Sequence, residues 1–222
     1  MDRESCTLPG GDPTATGSQT LLGVYLNLFA ATEVFIYVFI EIVTKLDSVR
    51  RVIFKKAGRN DYIIFIVIFG LFSIFGTYLG IPERSGAITN IRDLAPMVAG
   101  FVAGPYVGVA VGLIGGIHRY FLGGVSCVPC SLATVLAGLL AGLVYHFRNG
   151  KIPGIISGML YAAGIEILHG ALALALIHPY ALALEVVFPA IPEMIIANSL
   201  GVGISIIVVH SEVEKEGSVA AG

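Results

Sequence analysis

Five stretches of the chain are apolar for long enough to cross a bilayer as helices: Leu21 to Thr44, Tyr62 to Ile81, Val128 to Phe147, Ile152 to Ile177 and Ala183 to Val209. A hydrocarbon core about 30 Å thick needs roughly 20 such residues. A sixth apolar stretch, Leu94 to Ile117, has the length but is interrupted near its middle by Gly104-Pro105. Proline removes a backbone donor and disfavours helix in the residue before it, so this stretch reads either as one crossing or as two short helices folded into a hairpin.

The placement of basic residues decides between the two. The segment Lys45 to Asn60 carries Lys45, Arg50, Arg51, Lys55, Lys56 and Arg59, six of the chain's 13 lysines and arginines. By the positive-inside rule it is cytoplasmic, which puts the amino terminus outside and Arg92 at the outer face. One straight crossing from Leu94 to Ile117 would then expose the basic loop of Arg148 and Lys151 to the outside. A hairpin turning at Gly104-Pro105 keeps that loop inside, leaves the carboxyl terminus cytoplasmic and returns Arg119 to the outer face beside Arg92. The expected fold is therefore all-α and integral to the membrane, with five full spans plus a short Gly-Pro helical hairpin. Its domain limits are an unstructured outer tail over residues 1–20, a membrane domain over 21–210 and a polar cytoplasmic tail over 211–222.

Glycines recur every fourth residue through the hairpin, at Gly100, Gly104, Gly108, Gly112 and Gly116, and Gly138 and Gly142 continue the pattern on the next span. Small residues at this spacing let helix backbones approach closely in lipid. They predict packing and say nothing about chemistry.

Composition narrows the function classes. Hydrophobic residues make up 56% of the 222-residue chain and charged residues 13%, with a mean hydropathy of +0.88, so membrane lipid is a partner. A net charge of −2 argues against nucleic acid. Cys6, Cys127 and Cys130 are too few for a disulfide framework, and Cys127-Val128-Pro129-Cys130 lacks the second ligand pair of a structural zinc site. No metal and no cofactor is expected. The absence of a Ser-His-Asp array, a phosphate loop and kinase motifs from the sequence argues against catalysis by this chain alone.

Arg92 and Arg119 carry the candidate chemistry. A charge at the edge of hydrocarbon is retained only if it reaches water or finds a counter-ion, and two guanidiniums brought to one place suggest a small bound anion. The planar fork of arginine matches a carboxylate at two points. Cys130 and Thr134, one turn apart on the next helix, offer a small, weakly polar wall. The alternative pairs Arg92 with neighbouring Asp93, lets Arg119 reach lipid headgroups and makes Cys130 an apolar filler. Glu33 and Glu41, Glu166 and His169, and Glu185, Glu193 and Asn198 read as a proton relay or as neutral groups that hydrogen-bond helices together.

The run from Asn90 to Leu143, with its N-x-R-D, G-P, G-G-x-H-R-Y and L-G-G motifs followed by a cysteine-bearing helix, resembles the five-transmembrane receptor domain of LytS-type sensor histidine kinases. The resemblance extends over roughly Tyr62 to Val209. More distantly, the hairpin is similar to the membrane substrate-binding subunits of energy-coupling-factor vitamin transporters. The first resemblance implies a receptor for pyruvate or a related small carboxylate, coupled to a histidine kinase domain or acting as a homodimer. It implies a role in carboxylate uptake or cell-wall turnover. The family's two ligand-binding arginines match Arg92 and Arg119, and its cysteine matches Cys130. Its serine falls on Ala133, with Ser131 and Thr134 adjacent as replacements for the hydroxyl. Asn90 and His118, inside the two motifs that hold the arginines, complete the expected site. A transport protein for a small organic anion or vitamin is the alternative function, and a purely structural partner subunit is a third. Whether the receptor continues into a kinase or stands alone is left open.

Overall fold

The computed structural model describes residues 13–79, 81–82 and 88–221. Eight helices are found among them: α1 (Pro13–Val43), α2 (Asp47–Ile53), α3 (Arg59–Tyr78), α4 (Leu94–Ala103), α5 (Pro105–Phe121), α6 (Cys127–Phe147), α7 (Ile155–Leu176) and α8 (Tyr180–Ala221). A two-residue antiparallel ladder, β1 (Ile81–Pro82) with β2 (Ile88–Thr89), lies between α3 and α4. Windows in α1, α3, α6, α7 and α8 are long and apolar enough to cross a membrane. The fold is the expected all-α bundle of five spans plus a hairpin.

Both tails depart from expectation. Helix α1 begins at Pro13, so residues 13–20 extend the first span where an unstructured tail was expected; residues 1–12 lie outside the described residues. At the other end α8 runs without a break through Pro189 and Pro192 and on to Ala221. The polar segment after His210 is the end of this helix, because Glu212 and Glu216 are drawn onto the basic elbow between α1 and α2. Lys45 meets Glu212 at 2.7 Å and Glu41 at 3.0 Å, and Arg50 meets Glu216 at 2.7 Å. Hydrogen bonding to Glu212, then to Glu41, holds the Lys45 ammonium above the usual lysine range.

The sixth apolar stretch is a hairpin. Gly104 separates α4 from α5 at φ 88°, a conformation that favours glycine, and Pro105 opens α5, where its missing N–H costs nothing. At 10 residues α4 is about 15 Å long, half of the hydrocarbon core. Every residue from Leu94 to Val102 is buried, so this half-helix is the centre of the bundle. Around it, Phe35 and Phe39 of α1 pack on Phe69, Phe72 and Phe75 of α3, with the stacked Phe39 and Phe72 rings 4.0 Å apart.

The glycine ladder divides its labour. Gly104 makes the turn, whereas Gly100 on α4 and Gly108, Gly112 and Gly116 on α5 press against the backbone of α6. A Cβ on Gly100 would stand 2.7 Å from the Gly138 carbonyl oxygen, one on Gly112 would stand 2.8 Å from that of Thr134, and one on Gly116 would stand 2.9 Å from that of Ser131. On Gly108 it would overlap the Gly138 carbonyl. These contacts carry α6 over the hairpin with its carbonyls nearly touching α5, and so fix Cys130 and Thr134 relative to both arginines.

The ends of the bundle are chemically distinct. The turn at Gly104 packs on Tyr145, and Lys55 lies 5.8 Å over the same ring. The hairpin turn, both basic loops and the end of α8 therefore share one end. Residues 90–93, the end of α5 and the start of α6 share the other.

Substituting Gly108 by Leu should abolish the folded receptor or lower its stability by about 1–3 kcal/mol or more, because the neighbour is backbone and cannot move aside. Gly164, whose added Cβ would meet nothing within 4 Å, should accept Leu without loss. Thermal unfolding of the purified variants in detergent checks both; equal stability of the two variants would contradict the close approach of α5 and α6.

Candidate functional site

Arg92 closes the segment that enters α4. Its backbone is fixed on three sides: its N–H donates to Asn90 Oδ1 (3.1 Å), its carbonyl accepts from Ser73 Oγ (3.1 Å), and Gly76 lets α3 pass so closely that a Cβ there would stand 3.1 Å from Arg92 Cα. Asn90 is held in turn through its carbonyl, which accepts from Asn198 Nδ2 of α8 at 3.2 Å. The Arg92 side chain is consequently driven inward and is wholly buried.

Its guanidinium is only partly satisfied. Nε donates to Thr134 Oγ1 at 2.8 Å and lies 3.5 Å from Asp93 Oδ1. Thr134 Oγ1 stands 2.5 Å from Asp93 Oδ1 and 2.9 Å from the Cys130 carbonyl, so it accepts from Arg92 and gives its one proton to either. The terminal nitrogens Nη1 and Nη2 have no hydrogen-bond partner among the described residues. These are the two donors with which a guanidinium grips a carboxylate.

Asp93 precedes the first residue of α4, but its carboxylate makes no capping bond to the helix. It turns instead to Thr134 and to His169 of α7, whose Nδ1 lies 3.2 Å from Asp93 Oδ2 and 3.4 Å from Glu166 Oε2. Neither contact is aligned as a hydrogen bond; the ring nitrogen points between the two carboxylates. The other ring nitrogen, Nε2, lies 3.2 Å from Cys130 Sγ. Asp93, Glu166 and His169 each bring a ligand atom within 4.8 Å of the others, a spacing that a cation could use. The Arg92 guanidinium beside Asp93 already supplies positive charge there, and the arrangement reads as a polar network closed by arginine.

Arg119 is buried near the end of α5 and is held differently. Nη1 donates to the Gly123 carbonyl at 2.6 Å and Nη2 to Ser126 Oγ at 2.9 Å. Ser126 also accepts the Cys130 amide through its carbonyl at 3.0 Å, so Arg119 is tied to the first turn of α6. Among the described residues no carboxylate lies within ion-pair distance of Arg119. Asp93 lies beside Arg92, whereas the hydrogen-bond partners of Arg119 are neutral. Both guanidiniums lie within electrostatic range of the Cys130 thiol and the His118 ring.

The expected residues thus sort into groups. Arg92, Asn90, Thr134 and Cys130 meet in one buried cluster. His118 belongs to its rim: its Nε2 bonds Tyr78 Oη at 3.1 Å, and its ring is half-buried. Ser131 donates to the Cys127 carbonyl of its own helix at 2.7 Å, which occupies its hydroxyl away from Arg92. Ala133, at the position of the family serine, is buried. Ser126, Ser73 and the contact between His169 and Cys130 were not legible in the sequence, although Glu166 and His169 one turn apart signalled a polar face on α7. A small apolar cavity lined by Val98, Phe101, Val102, Ile152, Ser205, Ile206 and Val209 touches none of these residues.

Comparison with known proteins identifies the family. A family model described as "5TMR of 5TMR-LYT" matches residues 47–212. The sensor histidine kinase YpdA of Escherichia coli K12 is 35% identical over 182 residues, covering 77% of this chain and 30% of that protein. The sensor protein LytS of Bacillus subtilis is 31% identical over 184 residues, covering 75% of this chain and 31% of that protein. The sensor histidine kinase BtsS of E. coli K12 is 32% identical over 140 residues, with 61% and 25% covered. The chain therefore spans less than a third of the length of these relatives, and no solved structure matches it. With three quarters of its length inside the family match, this chain belongs to the LYT family of five-transmembrane receptors.

Proposed function

We propose that the chain is the sensory module of a histidine kinase system, taking a small carboxylate such as pyruvate from the outer side of the membrane. The observation that carries this reading is the Arg92 guanidinium, buried with both terminal nitrogens unpartnered. Leaving such donors unsatisfied in an apolar bundle is costly, and a carboxylate satisfies both at once. Arg119, whose protein partners are neutral, balances the added negative charge.

Kinase coupling is supported by the relatives, both named as sensor histidine kinases or sensor proteins. The lengthwise continuity of α8 offers a route for it. Asn198 on this helix reaches Asn90 beside Arg92, and Glu212, just beyond Val209 of the apolar core, reaches Lys45 at the opposite end. By the positive-inside rule that end is cytoplasmic. A shift of residues 90–92 on ligand binding would thus be felt by the same helix that leaves the membrane.

Titration calorimetry with pyruvate tests the ligand. Arg92→Lys should lose about 30-fold or more in affinity, the equivalent of about 2 kcal/mol for hydrogen bonds to a charged group, since a point charge cannot reproduce the fork. Arg119→Lys keeps the charge and should lose less. Thr134→Val should weaken binding through Arg92 while Thr134→Ser preserves it, and Ser131→Ala should be silent. Equal affinity in wild type and Arg92→Lys, with both folded, would remove Arg92 from the site. Uptake into proteoliposomes separates sensing from transport: saturable binding without accumulation is expected, and accumulation would favour a carrier. For orientation, a membrane-impermeant thiol reagent should label a cysteine placed at Val125 in intact cells and reach one at Ser218 only after permeabilisation. The opposite pattern would invert the receptor.

A further inference from the structure

Cys130, His169 and Asp93 stand in the order nucleophile, imidazole, carboxylate. The thiol lies 3.2 Å from one ring nitrogen of His169, and the other ring nitrogen faces the carboxylate oxygens of Asp93 and Glu166 at 3.2 and 3.4 Å. The three come from α6, α7 and the start of α4, and all are buried. A sensor that needed only a carboxylate grip has no use for an imidazole between a thiol and two acids. Nor does packing explain it, since four polar atoms of Asp93, Glu166 and His169 are left without an aligned hydrogen bond in an apolar bundle. Imperfect alignment of such an array before ligand arrives is common and tightens on binding.

Resting on the reading of the site as a receptor for a 2-oxo acid, we propose that Cys130 binds the keto group of that acid covalently and reversibly, with His169 as the general acid–base and Asp93 positioning it. With two carboxylates facing Nδ1, the neutral ring keeps its proton on that nitrogen and Nε2 is free to accept. The thiol proton passes to Nε2 as Sγ forms a bond to the ligand's C2. The π electrons of the C2 carbonyl move to its oxygen, which takes the proton back from Nε2. The product is a thiohemiketal, the net addition of S–H across C=O, and no oxidant or reductant is consumed. Release is the same sequence reversed.

The placement of the charges suits this step. Arg92 Nε and the Cys130 carbonyl meet at Thr134 Oγ1, so the guanidinium and the residue that carries the thiol share one hydrogen-bonding partner. In a 2-oxo acid the carboxylate carbon and C2 are directly bonded, so a ligand gripped by Arg92 carries its keto carbon one bond from the fork. Selectivity follows from chemistry. A 2-hydroxy acid or a simple carboxylate can fill the fork but has no keto group for the thiol to add to.

The test combines calorimetry with carbon NMR of pyruvate labelled at C2, added to the purified receptor. The expected bound spectrum has C2 moved from the ketone region to that of a tetrahedral carbon bearing sulfur. The signal should be absent in Cys130→Ala and much reduced in His169→Gln and Asp93→Asn. Wild type should prefer pyruvate over lactate by about tenfold or more, and Cys130→Ala should lose that preference while still binding both weakly. If Cys130→Ala does not fold, Cys130→Ser provides the same comparison. Pyruvate bound with C2 still in the ketone region would overturn the covalent step and leave the carboxylate site intact. No calorimetric binding of pyruvate at all would overturn the receptor reading and this proposal together.

Discussion

A guanidinium at the head of a half-length helix is the constraint around which this bundle is arranged. Arg92 is wholly buried, and a charge there is costly unless it is paired and hydrogen-bonded; Nε is held by Thr134 beside Asp93, while the two terminal nitrogens stay open. Each partner comes from a different helix. Thr134 is on α6, His169 reaches Asp93 from α7, Asn198 reaches Asn90 from α8, and Ser73 reaches the Arg92 carbonyl from α3. Residues 90–93 therefore hold contacts to four of the five spans, and the two guanidinium nitrogens left over are the donors that the proposed carboxylate would fill.

That convergence depends on α4 being short. A full crossing in its place would carry its amino end through the bilayer and separate Arg92 from Arg119 by the whole membrane. The break at Gly104 and the close approach of α4 and α5 to α6 bring both arginines back to one end. Glycine matters here because the hairpin and α6 meet backbone to backbone; a methyl group at Gly108 would push α6 outward and pull Thr134 from Arg92. Packing and recognition are in this sense one device.

The hairpin and the two arginines were legible in the sequence because each leaves a local trace: a proline after glycine, basic residues in the loops, a charge at the edge of an apolar run. Cys130 and Thr134 came from the family resemblance and from their spacing of one helical turn. Contacts between distant segments leave none. Thr134 and Asp93 are 41 residues apart, and Cys130 and His169 are 39 apart, so neither pairing could be read from spacing. The neighbouring pair of Arg92 and Asp93 could be, yet it accounts for one nitrogen of the guanidinium and leaves the fork open. Ser131 was misleading for a physical reason: a serine inside a helix readily bonds the carbonyl four residues back and so withdraws from the site. The helical ends beyond the spans were missed because polar sequence reads as tail until a partner such as Lys45 is found for Glu212.

The most direct test of the central claim is an experimental structure of the receptor with pyruvate bound. The account predicts the ligand's carboxylate within hydrogen-bonding distance of both Nη1 and Nη2 of Arg92, with Nε still on Thr134 and Arg119 still tied to Ser126. A ligand seated elsewhere, for instance against His118 and Tyr78, with the Arg92 fork untouched, would contradict it.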